Sequence, residues 1–271
     1  MAESPFSLLL PVYRGDSARD FLTAYRSSTD EQSRRPDQVV IVRDGPVGDE
    51  LADVLASVRR EDPTITLVPL DTNIGLYGAL ERGLEASAHD IVARMDADDI
   101  SLPGRFARQL SAMDAGLDLV GTGLYEFETD MDHVVGRRTP PVGDRIRATA
   151  RFHQPFNHPT VVYRRSVVAA AGGYQPMGRM EDYWLFARML MQGAKADNIP
   201  EPLLGYRVDA GAYRRRGGWD QFKSEIELQR AFRRIGFTTR TQELRNLAVR
   251  GAYRLMPTAV RRVVYRGAFG H

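Results

Sequence analysis

Three carboxylates occupy four consecutive positions in the segment Asp96-Ala97-Asp98-Asp99, which directly follows the apolar run Ile91-Val92-Ala93. Like charges this close repel each other, so a folded chain rarely keeps them together unless a cation neutralises them. Mg²⁺ and Mn²⁺ suit this task, because they prefer carboxylate oxygens and often bridge them to substrate phosphates. The segment therefore indicates a phosphate-bearing substrate held through a metal ion. The alternative is a solvated acidic turn, since acidic residues favour turns and helix starts.

The acidic segment is one of four polar loops that each follow a short apolar run. The predicted strands cover residues 6–12, 38–42, 65–68 and 90–93, and Pro11 is expected to stop the first. The helices between them cover about 18–28, 48–59 and 76–86. This alternation predicts parallel βαβ units in a doubly wound sheet, in which ligands bind beyond the carboxyl ends of the strands. The four loops should therefore meet at one edge of the sheet.

The second half of the chain continues the mixed pattern and ends in helices. Strands are predicted at 117–123 and 160–163, with a hairpin or surface excursion at 124–135. Helices are predicted at about 104–113, 144–150, 165–171 and 183–192. The sheet pattern ends beyond Tyr206. Basic helices are expected at about 219–236, 241–255 and 258–265.

Composition excludes several classes of protein. The 271 residues include no cysteine, which excludes a disulfide framework, a thiolate zinc site and a cysteine nucleophile. Apolar residues make up 43% of the chain and charged residues 27%, as in ordinary soluble domains. The N-terminus lacks the pattern of a signal peptide, and no apolar run is long enough to span a bilayer. These features are typical of a cytoplasmic protein.

The charge is unevenly distributed along the chain. From Ala212 onward there are 14 Arg and Lys and 4 Asp and Glu, so this part carries +10 and the remainder −8 of the net +2. Arginines alternate with aliphatic residues over 240–271, which suits an amphipathic helix on anionic lipid at the inner face of the cell membrane. Packing on the preceding part of the chain or in a homodimer is the alternative. No nucleic-acid partner is predicted, because the tail has few aromatic residues for stacking bases.

A series of motifs in a fixed order supports a more specific interpretation. They are Leu10-Pro11-Val12-Tyr13, Val40-Ile41-Val42-Arg43-Asp44-Gly45, Asn73-Ile74-Gly75-Leu76, Arg94-Met95-Asp96-Ala97-Asp98-Asp99, Pro103-Gly104-Arg105-Phe106, His158-Pro159-Thr160, Gly172-Gly173-Tyr174 and Glu181-Asp182-Tyr183-Trp184-Leu185. Over residues 5 to 210 the chain resembles the family 2 inverting glycosyltransferases, and most of all the bacterial members that assemble capsule, exopolysaccharide or cell-wall glycans.

The resemblance implies an α/β architecture of the GT-A type, a Rossmann-like doubly wound mixed sheet with a C-terminal helical extension. Residues 1–210 would form the catalytic domain, with a donor half at about 1–100 and an acceptor half at about 101–210. Residues 211–271 would form the basic helical extension.

The resemblance also implies a nucleotide-sugar site, with a UDP-sugar as the expected donor. Its residues would be Pro11, Tyr13 against the pyrimidine, Asp44 on the base or ribose, Asn73, Asp96 near the ribose, and Asp98. Asp98 would bind Mg²⁺ or Mn²⁺, with Asp99 as a supporting ligand or a helix cap. Asn73 is also expected to cap the helix from Leu76. Arg43 departs from the family, which more often has a second acid at that position.

For catalysis, the resemblance makes Asp182 the general base, with Glu181 as the alternative. The base would take a proton from the acceptor hydroxyl as it attacks the anomeric carbon. His158 and Trp184 are candidates for contacts with the acceptor or the pyrophosphate, although each could be purely structural. The acceptor would be a glycan or a lipid-linked sugar.

Two other functions are the alternatives to a glycosyltransferase. One is a sugar nucleotidyltransferase, which would need a Gly-rich basic loop after the first strand. The other is a non-catalytic nucleotide-sugar binding protein at the membrane.

Overall fold

The computed structural model describes residues 4–208 and 218–255. Its strands are β1 (Phe6–Tyr13), β2 (Gln38–Asp44), β3 (Ile65–Pro69), β4 (Ile91–Arg94), β5 (Ile100–Ser101), β6 (Leu119–Phe127), β7 (Val134–Arg138), β8 (Val162–Arg164) and β9 (Ala196–Arg207). Its helices are α1 (Ala18–Ser28), α2 (Asp49–Glu61), α3 (Leu76–Ala86), α4 (Arg105–Asp114), α5 (Arg145–Ala150), α6 (Arg165–Ala170), α7 (Glu181–Met191), α8 (Trp219–Arg234) and α9 (Arg240–Leu255). A short 3₁₀ helix covers His158–Thr160.

Within the described residues, the strands form one mixed sheet in the order β3-β2-β1-β4-β8-β6-β9-β5, with β7 paired to β6. The first four strands in this order are parallel, and β8 is antiparallel to both of its neighbours. The parallel strands therefore end at the same edge of the sheet, as predicted. The α/β architecture with helices after the sheet confirms the expected fold class.

Helices cover both faces of the sheet, because apolar side chains point both ways from its central strands. In β1, Leu9 packs in one core cluster with residues of α3 and α7, while Leu8 and Leu10 pack in the other with residues of α1 and α4. All three leucines are fully buried. The absence of apolar alternation in the sequence was the signal for this two-sided burial.

Strand β1 does not stop at Pro11 but continues to Tyr13. Pairing with β4 covers Phe6 to Leu9, so Pro11 lies beyond the last paired residue on that side. Its missing N–H therefore breaks no hydrogen bond of that ladder, while pairing with β2 continues to Tyr13. The expectation that the proline ends the strand was wrong for this reason.

Strand β9 has no counterpart among the predicted strands. Pro200 and Pro202 interrupt its sequence, and the pairing with β6 shifts register between Thr122 and Gly123 and again between Gly123 and Tyr125. Prolines and irregular pairing hide a strand from pattern analysis. This strand nevertheless supplies an essential part of the site, since it ends at Arg207.

The C-terminal helices α8 and α9 confirm two of the three predicted basic helices. Leu228 and Phe232 of α8 are fully buried in the same core cluster as α7. The third helix, predicted at 258–265, lies outside the described residues. None of the described helices combines the length and apolar character that crossing a lipid bilayer requires.

Candidate active site

The acidic segment leaves β4 and is held from the opposite side by the end of β9. The backbone N–H of Arg207 donates to Oδ1 of Asp99 at 2.9 Å, and its Nε donates to the Asp98 carbonyl at 2.9 Å. Asp99 is fully buried. It does not cap the following helix, since the N-cap position of α4 is Gly104. The capping alternative for Asp99 was wrong because a tertiary contact takes its carboxylate.

Asp96 pairs with Arg94, the last residue of β4. Nη1 of Arg94 donates to Oδ2 of Asp96 at 2.8 Å, and Nη2 contacts Oδ1. The Arg94 side chain is only 2% exposed. Burial alone would lower the pKa of Arg94, but the charges of Asp96 and of the other acidic groups nearby together outweigh it and raise that pKa. Arg94 thus neutralises one of the three clustered acids and fixes its orientation.

A second buried arginine, Arg105, holds the backbone at the start of this segment. Nη2 of Arg105 donates to the carbonyl oxygens of Arg94 at 2.6 Å and Pro159 at 3.1 Å. Burial lowers the pKa of Arg105 to about 9, although the charge of Asp99 opposes the shift. Arg105 therefore ties the end of β4 to the loop that carries His158.

Asp98 is the acid of this cluster that solvent reaches most freely. Although the residue is exposed, protein packed around its carboxyl, together with the charge of Asp96, raises the pKa of Asp98 to about 6. A raised carboxyl pKa means that a proton, or another cation, is favoured at this point. A fourth acid, Asp16, acts on this cluster although it was not among the predicted site residues. Burial and the charges of Asp98 and Asp96 raise the pKa of Asp16 to about 7.

The fit of this cluster to a divalent cation can be judged from its donor atoms. Oδ2 of Asp99 is buried without a hydrogen-bond partner among the described residues. Among those residues, no group of three or more His, Cys, Asp and Glu is arranged to enclose a metal. The protein therefore offers one or two carboxylates, which is how Mg²⁺ is commonly held when substrate phosphates supply the other ligands.

The loop after β2 is organised by Asp44, which is only 4% exposed. Its Oδ1 accepts the N–H of Ile74 at 2.7 Å, and its Oδ2 accepts the N–H of Gly75 at 3.0 Å and Nδ2 of Asn73 at 2.9 Å. A carboxylate offers about four acceptor positions, so one remains for a ligand. Asn73 does not cap α3, whose N-cap is Gly75; its amide is taken by Asp44, and that prediction was wrong.

Asp44→Ala is expected to lower the free energy of unfolding by about 2–4 kcal/mol, because it leaves two backbone N–H groups without their acceptor. Asp44→Asn keeps the shape but only one acceptor oxygen, so its loss should be smaller. Urea unfolding of both variants measures this. The exposed Asp53 of α2 provides a control, since Asp53→Ala should change stability by no more than about 0.5 kcal/mol. Equal stability of Asp44→Ala and Asp53→Ala would contradict the assigned contacts.

Tyr13 and Pro11 lie at the same edge of the sheet. Tyr13 ends β1 with 48% of its surface exposed, and its ring lies against Gly15, where a Cβ atom would come within 2.4 Å of the hydroxyl. The backbone N–H of Tyr13 donates to Oδ2 of Asp16 at 2.8 Å. Pro11 is buried inside β1. The exposed ring is therefore the part of this loop that a ligand can reach.

A cavity of about 750 Å³ brings the acidic segment and α7 together. Asp96 lines it together with His158, Glu181 and Asp182. The other predicted donor residues and Trp184 are not among the described residues that line it. The cavity therefore faces the Arg94–Asp96 pair on one element and two carboxylates on another.

Glu181 and Asp182 open helix α7 and differ in their partners. Oδ2 of Asp182 accepts Nε2 of Gln154 at 2.6 Å, and Oδ1 accepts the N–H of Tyr183 at 2.7 Å. Burial raises the pKa of Asp182, although both hydrogen bonds oppose the shift. Oε2 of Glu181 is buried without a hydrogen-bond partner in the described chain, and burial with the charge of Asp182 raises the pKa of Glu181 to about 7. Asp182 is thus the oriented carboxylate of the two.

Comparison with known proteins adds family evidence to this geometry. The model of the family described as "Glycosyl transferase family 2" matches residues 7–172. The chain belongs to glycosyl transferase family 2. The glycosyltransferase is 37% identical to the amylovoran biosynthesis glycosyltransferase AmsE of Erwinia amylovora, over 96% of this chain and 97% of that protein. It is 34% identical to the UDP-Gal:alpha-D-GlcNAc-diphosphoundecaprenol beta-1,3-galactosyltransferase of Escherichia coli, over 96% and 95%.

Solved structures agree on the fold of the glycosyltransferase. S. aureus TarS 1-349 in complex with UDP-GlcNAc superposes with a TM-score of 0.68 at 15% identity, over 97% of this chain and 75% of that one. The mannosyltransferase PcManGT from Pyrobaculum calidifontis, in complex with GDP-Man and Mn²⁺, gives a TM-score of 0.67 at 17% identity, over 98% and 76%. At these identities the likeness concerns the fold alone.

His158 of the glycosyltransferase lies in a buried polar chain. Its Nε2 lies 2.8 Å from the Tyr174 hydroxyl, and its Nδ1 lies 3.5 Å from Oδ2 of Asp182. Burial, with the nearby charge of Arg94, holds the pKa of His158 well below its usual range, so the ring is neutral. Trp184 is buried in the core, where its Nε1 donates to Gln175 and its ring packs near Phe232.

Several residues of the glycosyltransferase that hold the predicted site residues in place were not predicted from the sequence. These are Asp16, Gln154 and Arg207. Asp16 had a local signal, since an acid three residues after a strand end can accept a backbone N–H there. Gln154 and Arg207 come close to the site only in the folded chain, and no spacing in the sequence marks them.

Proposed function

We propose that the glycosyltransferase moves a sugar, with inversion at the anomeric carbon, from a nucleoside diphosphate sugar to a lipid-linked or glycan acceptor in bacterial surface polysaccharide synthesis. One observation carries this proposal: Asp96 and Asp182 line the same cavity of about 750 Å³. This volume is within the range of small-molecule sites. A donor held at the acidic segment would therefore have the half-buried carboxylate of Asp182 within the same cavity.

The proposed donor is a UDP-sugar. Tyr13 would contact the pyrimidine through its exposed ring, and Asp44 would use its remaining acceptor position for the base or ribose. Pro11 and Asn73 would shape the pocket, and Asp96 would approach the ribose. The E. coli relative is named for UDP-Gal, which supports uridine over the other bases.

Asp98 is the proposed ligand for Mg²⁺ or Mn²⁺, with Asp99 in support. The raised pKa of Asp98 supports this role, because an acid surrounded by other acids binds a cation favourably. A divalent ion, when bound, would stabilise the negative charge that develops on the leaving diphosphate. Arg94 would keep Asp96 oriented toward the donor, and Arg207 would keep the segment fixed between β4 and β9.

Asp182 is the proposed general base. Gln154 and Tyr183 hold its carboxylate, so the acceptor hydroxyl would lose its proton to an oriented oxygen as it attacks the anomeric carbon. The nucleoside diphosphate would leave from the opposite face in the same displacement, which inverts that carbon. No covalent intermediate is needed. Neutral His158 would order the base through Nδ1 without competing for the proton.

The proposed acceptor carries negative charge near the reacting sugar. Exposed Arg137 and Arg179 line the cavity, together with Arg138. Guanidinium groups bind phosphate well. The E. coli relative is named for a sugar joined to undecaprenol through a diphosphate, and the Erwinia relative for amylovoran biosynthesis. Both names support a lipid-linked acceptor in the synthesis of a surface glycan.

Such an acceptor would bring the enzyme to the inner face of the cell membrane through the 240–271 tail. Leu244 and Val249 of α9 are 59% and 54% exposed, which supports contact with an apolar phase or a second subunit. Two tail arginines instead face the protein: Arg245 lies over Phe152 at 4.8 Å, and Arg250 pairs with Glu225. Co-sedimentation with phosphatidylglycerol vesicles, but not with phosphatidylcholine vesicles, tests the proposal. A dimer that sediments with neither kind of vesicle would refute the membrane contact.

Calorimetric titration with UDP, GDP, CDP and dTDP, each with and without Mn²⁺, tests the donor. We expect Mn²⁺-dependent binding of UDP that exceeds binding of the other three. Metal-dependent binding of another nucleotide would change the nucleobase assigned to the donor but would leave the proposed donor site unchanged. If none of the four binds under either condition, the acidic segment is a structural turn and the proposed function fails.

A further inference from the structure

A buried ion pair joins the two C-terminal helices behind the wall of the cavity. Glu225 of α8 is fully buried, and its two carboxylate oxygens accept Nε and Nη2 of Arg250 of α9 at 2.7 Å and 2.9 Å. Nε2 of Gln229 also donates to Oε1 of Glu225, at 3.0 Å. Two parallel hydrogen bonds fix the guanidinium in one orientation. The plane of Arg250 is therefore set by α8.

The same guanidinium reaches the active site. Nη1 of Arg250 donates to the carbonyl of Phe152 at 2.9 Å. The guanidinium carbon Cζ of Arg250 lies 5.6 Å from the centre of the Tyr183 ring, and Arg250 lines the cavity. One turn earlier on α9, buried Asn246 donates to the carbonyl of Arg151 at 2.8 Å. Helix α9 thus holds two consecutive carbonyl groups of the segment that follows α5.

That segment leads directly to the partner of Asp182. Gln154, two residues after Phe152, donates to Oδ2 of Asp182 at 2.6 Å. The hydroxyl of Tyr183 donates to the carbonyl of Ala150 at 2.8 Å, so the residue after Asp182 is tied to the same segment. Segment 150–154 therefore connects α9 with the first turn of α7 at two points.

We propose that Arg250 is a positioning residue for the transfer reaction. Its ion pair with Glu225 fixes segment 150–154, and the fixed segment holds Gln154 against Asp182. This inference rests on the proposed role of Asp182 as the base. Both C-terminal helices lie beyond the residues 7–172 that the family model matches, so family membership alone does not assign them this role.

The main test replaces both partners, as Glu225→Gln with Arg250→Met, so that no buried charge is left unpaired. We expect kcat to fall by about 10²-fold, since a displacement of about 1 Å at a reacting group costs this much. UDP affinity should stay unchanged, because the donor residues are untouched. Arg250→Lys should rescue kcat only in part, since a single ammonium cannot serve Glu225 and Phe152 in the same geometry.

A pH profile separates positioning from general loss of stability. The hydrogen bond from Gln154 favours the charged form of Asp182, so its loss should move the acid limb of kcat to higher pH. The other described groups whose charges act on Asp182 or respond to it, which are Glu181, His158, Tyr174 and Arg94, remain in place. Arg230→Met, at an exposed arginine of α8, is the matched control and should leave both kcat and the acid limb unchanged.

Gln154→Leu keeps the proposal testable if the double variant fails to fold. It should reproduce the loss of kcat and the pH shift, and combining it with the double variant should cost little more, because both changes act through one contact. Additive losses, or unchanged kcat and acid limb in folded Gln154→Leu, would overturn the inference. Wild-type turnover by Asp182→Asn would instead refute the proposed base, so the two failures are distinguishable.

Discussion

Asp182→Asn is expected to lower kcat by about 10²- to 10⁴-fold, the usual contribution of a positioned general base. The amide keeps the size of the side chain and one acceptor oxygen, but it cannot take a proton. Asp182 makes its hydrogen bonds to Gln154 and Tyr183, away from the residues proposed for the nucleotide. UDP binding should therefore stay at the wild-type level. Turnover measured with saturating donor, and UDP affinity measured by calorimetry, check both parts.

Glu181→Gln is the matched control for this prediction. The pKa of Glu181 lies at about 7 because of burial and the charge of Asp182, and the same repulsion acts on Asp182 in return. Removing the Glu181 charge should lower the pKa of Asp182, so the acid limb of kcat should move to lower pH while turnover near pH 8 is retained. If Glu181 is the base, the pattern reverses: Glu181→Gln is inactive and Asp182→Asn stays active.

Asp98→Ala is expected to lose Mn²⁺-dependent binding of UDP and to lower kcat/KM by about 10²- to 10³-fold. A metal ion at a leaving phosphate contributes several kcal/mol, and each 1.36 kcal/mol changes a rate tenfold. The side chain is exposed, so its removal should leave the fold intact. Calorimetry with and without Mn²⁺, together with initial rates, measures the two effects. EDTA should inactivate the wild type, and added Mn²⁺ should restore it.

Asp53→Ala serves again as the control, because it removes an exposed carboxylate from α2 without touching the acidic segment. It should behave as the wild type in both assays. Equal UDP affinity of the wild type and Asp98→Ala, with and without Mn²⁺, would refute the metal assignment. Loss of binding in Asp98→Ala that is independent of Mn²⁺ would instead point to direct contact between Asp98 and the donor.

The parallel part of the sheet could be predicted because it depends on local pattern. Strands β1 to β4 are short apolar runs, and helix α3 begins and ends at the predicted residues Leu76 and Ala86. The position of the acids at one edge of the sheet could be predicted from the same pattern, because each acid follows the end of a parallel strand. The strand after α7 could not be predicted, since Pro200 and Pro202 interrupt it and its pairing depends on β6.

Two predictions that failed share one physical cause. Asn73 was expected to cap a helix, and a helix cap was one of the two alternatives for Asp99, because Asn and Asp favour such positions. In the folded chain a partner from another element takes each side chain: Asp44 accepts the amide of Asn73, and Arg207 donates to Asp99. Local preference gives way when a buried tertiary partner is available, and single-sequence reasoning has no access to that partner.

The contacts between β9 and the acidic segment have a consequence for synthesis of the chain. All the acids proposed for the donor are present once residue 99 has been made, but Arg207 supplies the hydrogen bonds that hold Asp98 and Asp99. The proposed base, Asp182, likewise accepts a hydrogen bond from the segment whose carbonyl groups bind Asn246 and Arg250. A ribosome-bound fragment that ends before Arg207 would therefore carry the proposed donor acids without the contacts that hold them. Transfer at the full rate should arise only once helix α9 has docked, so an interrupted chain would consume donor sugar slowly.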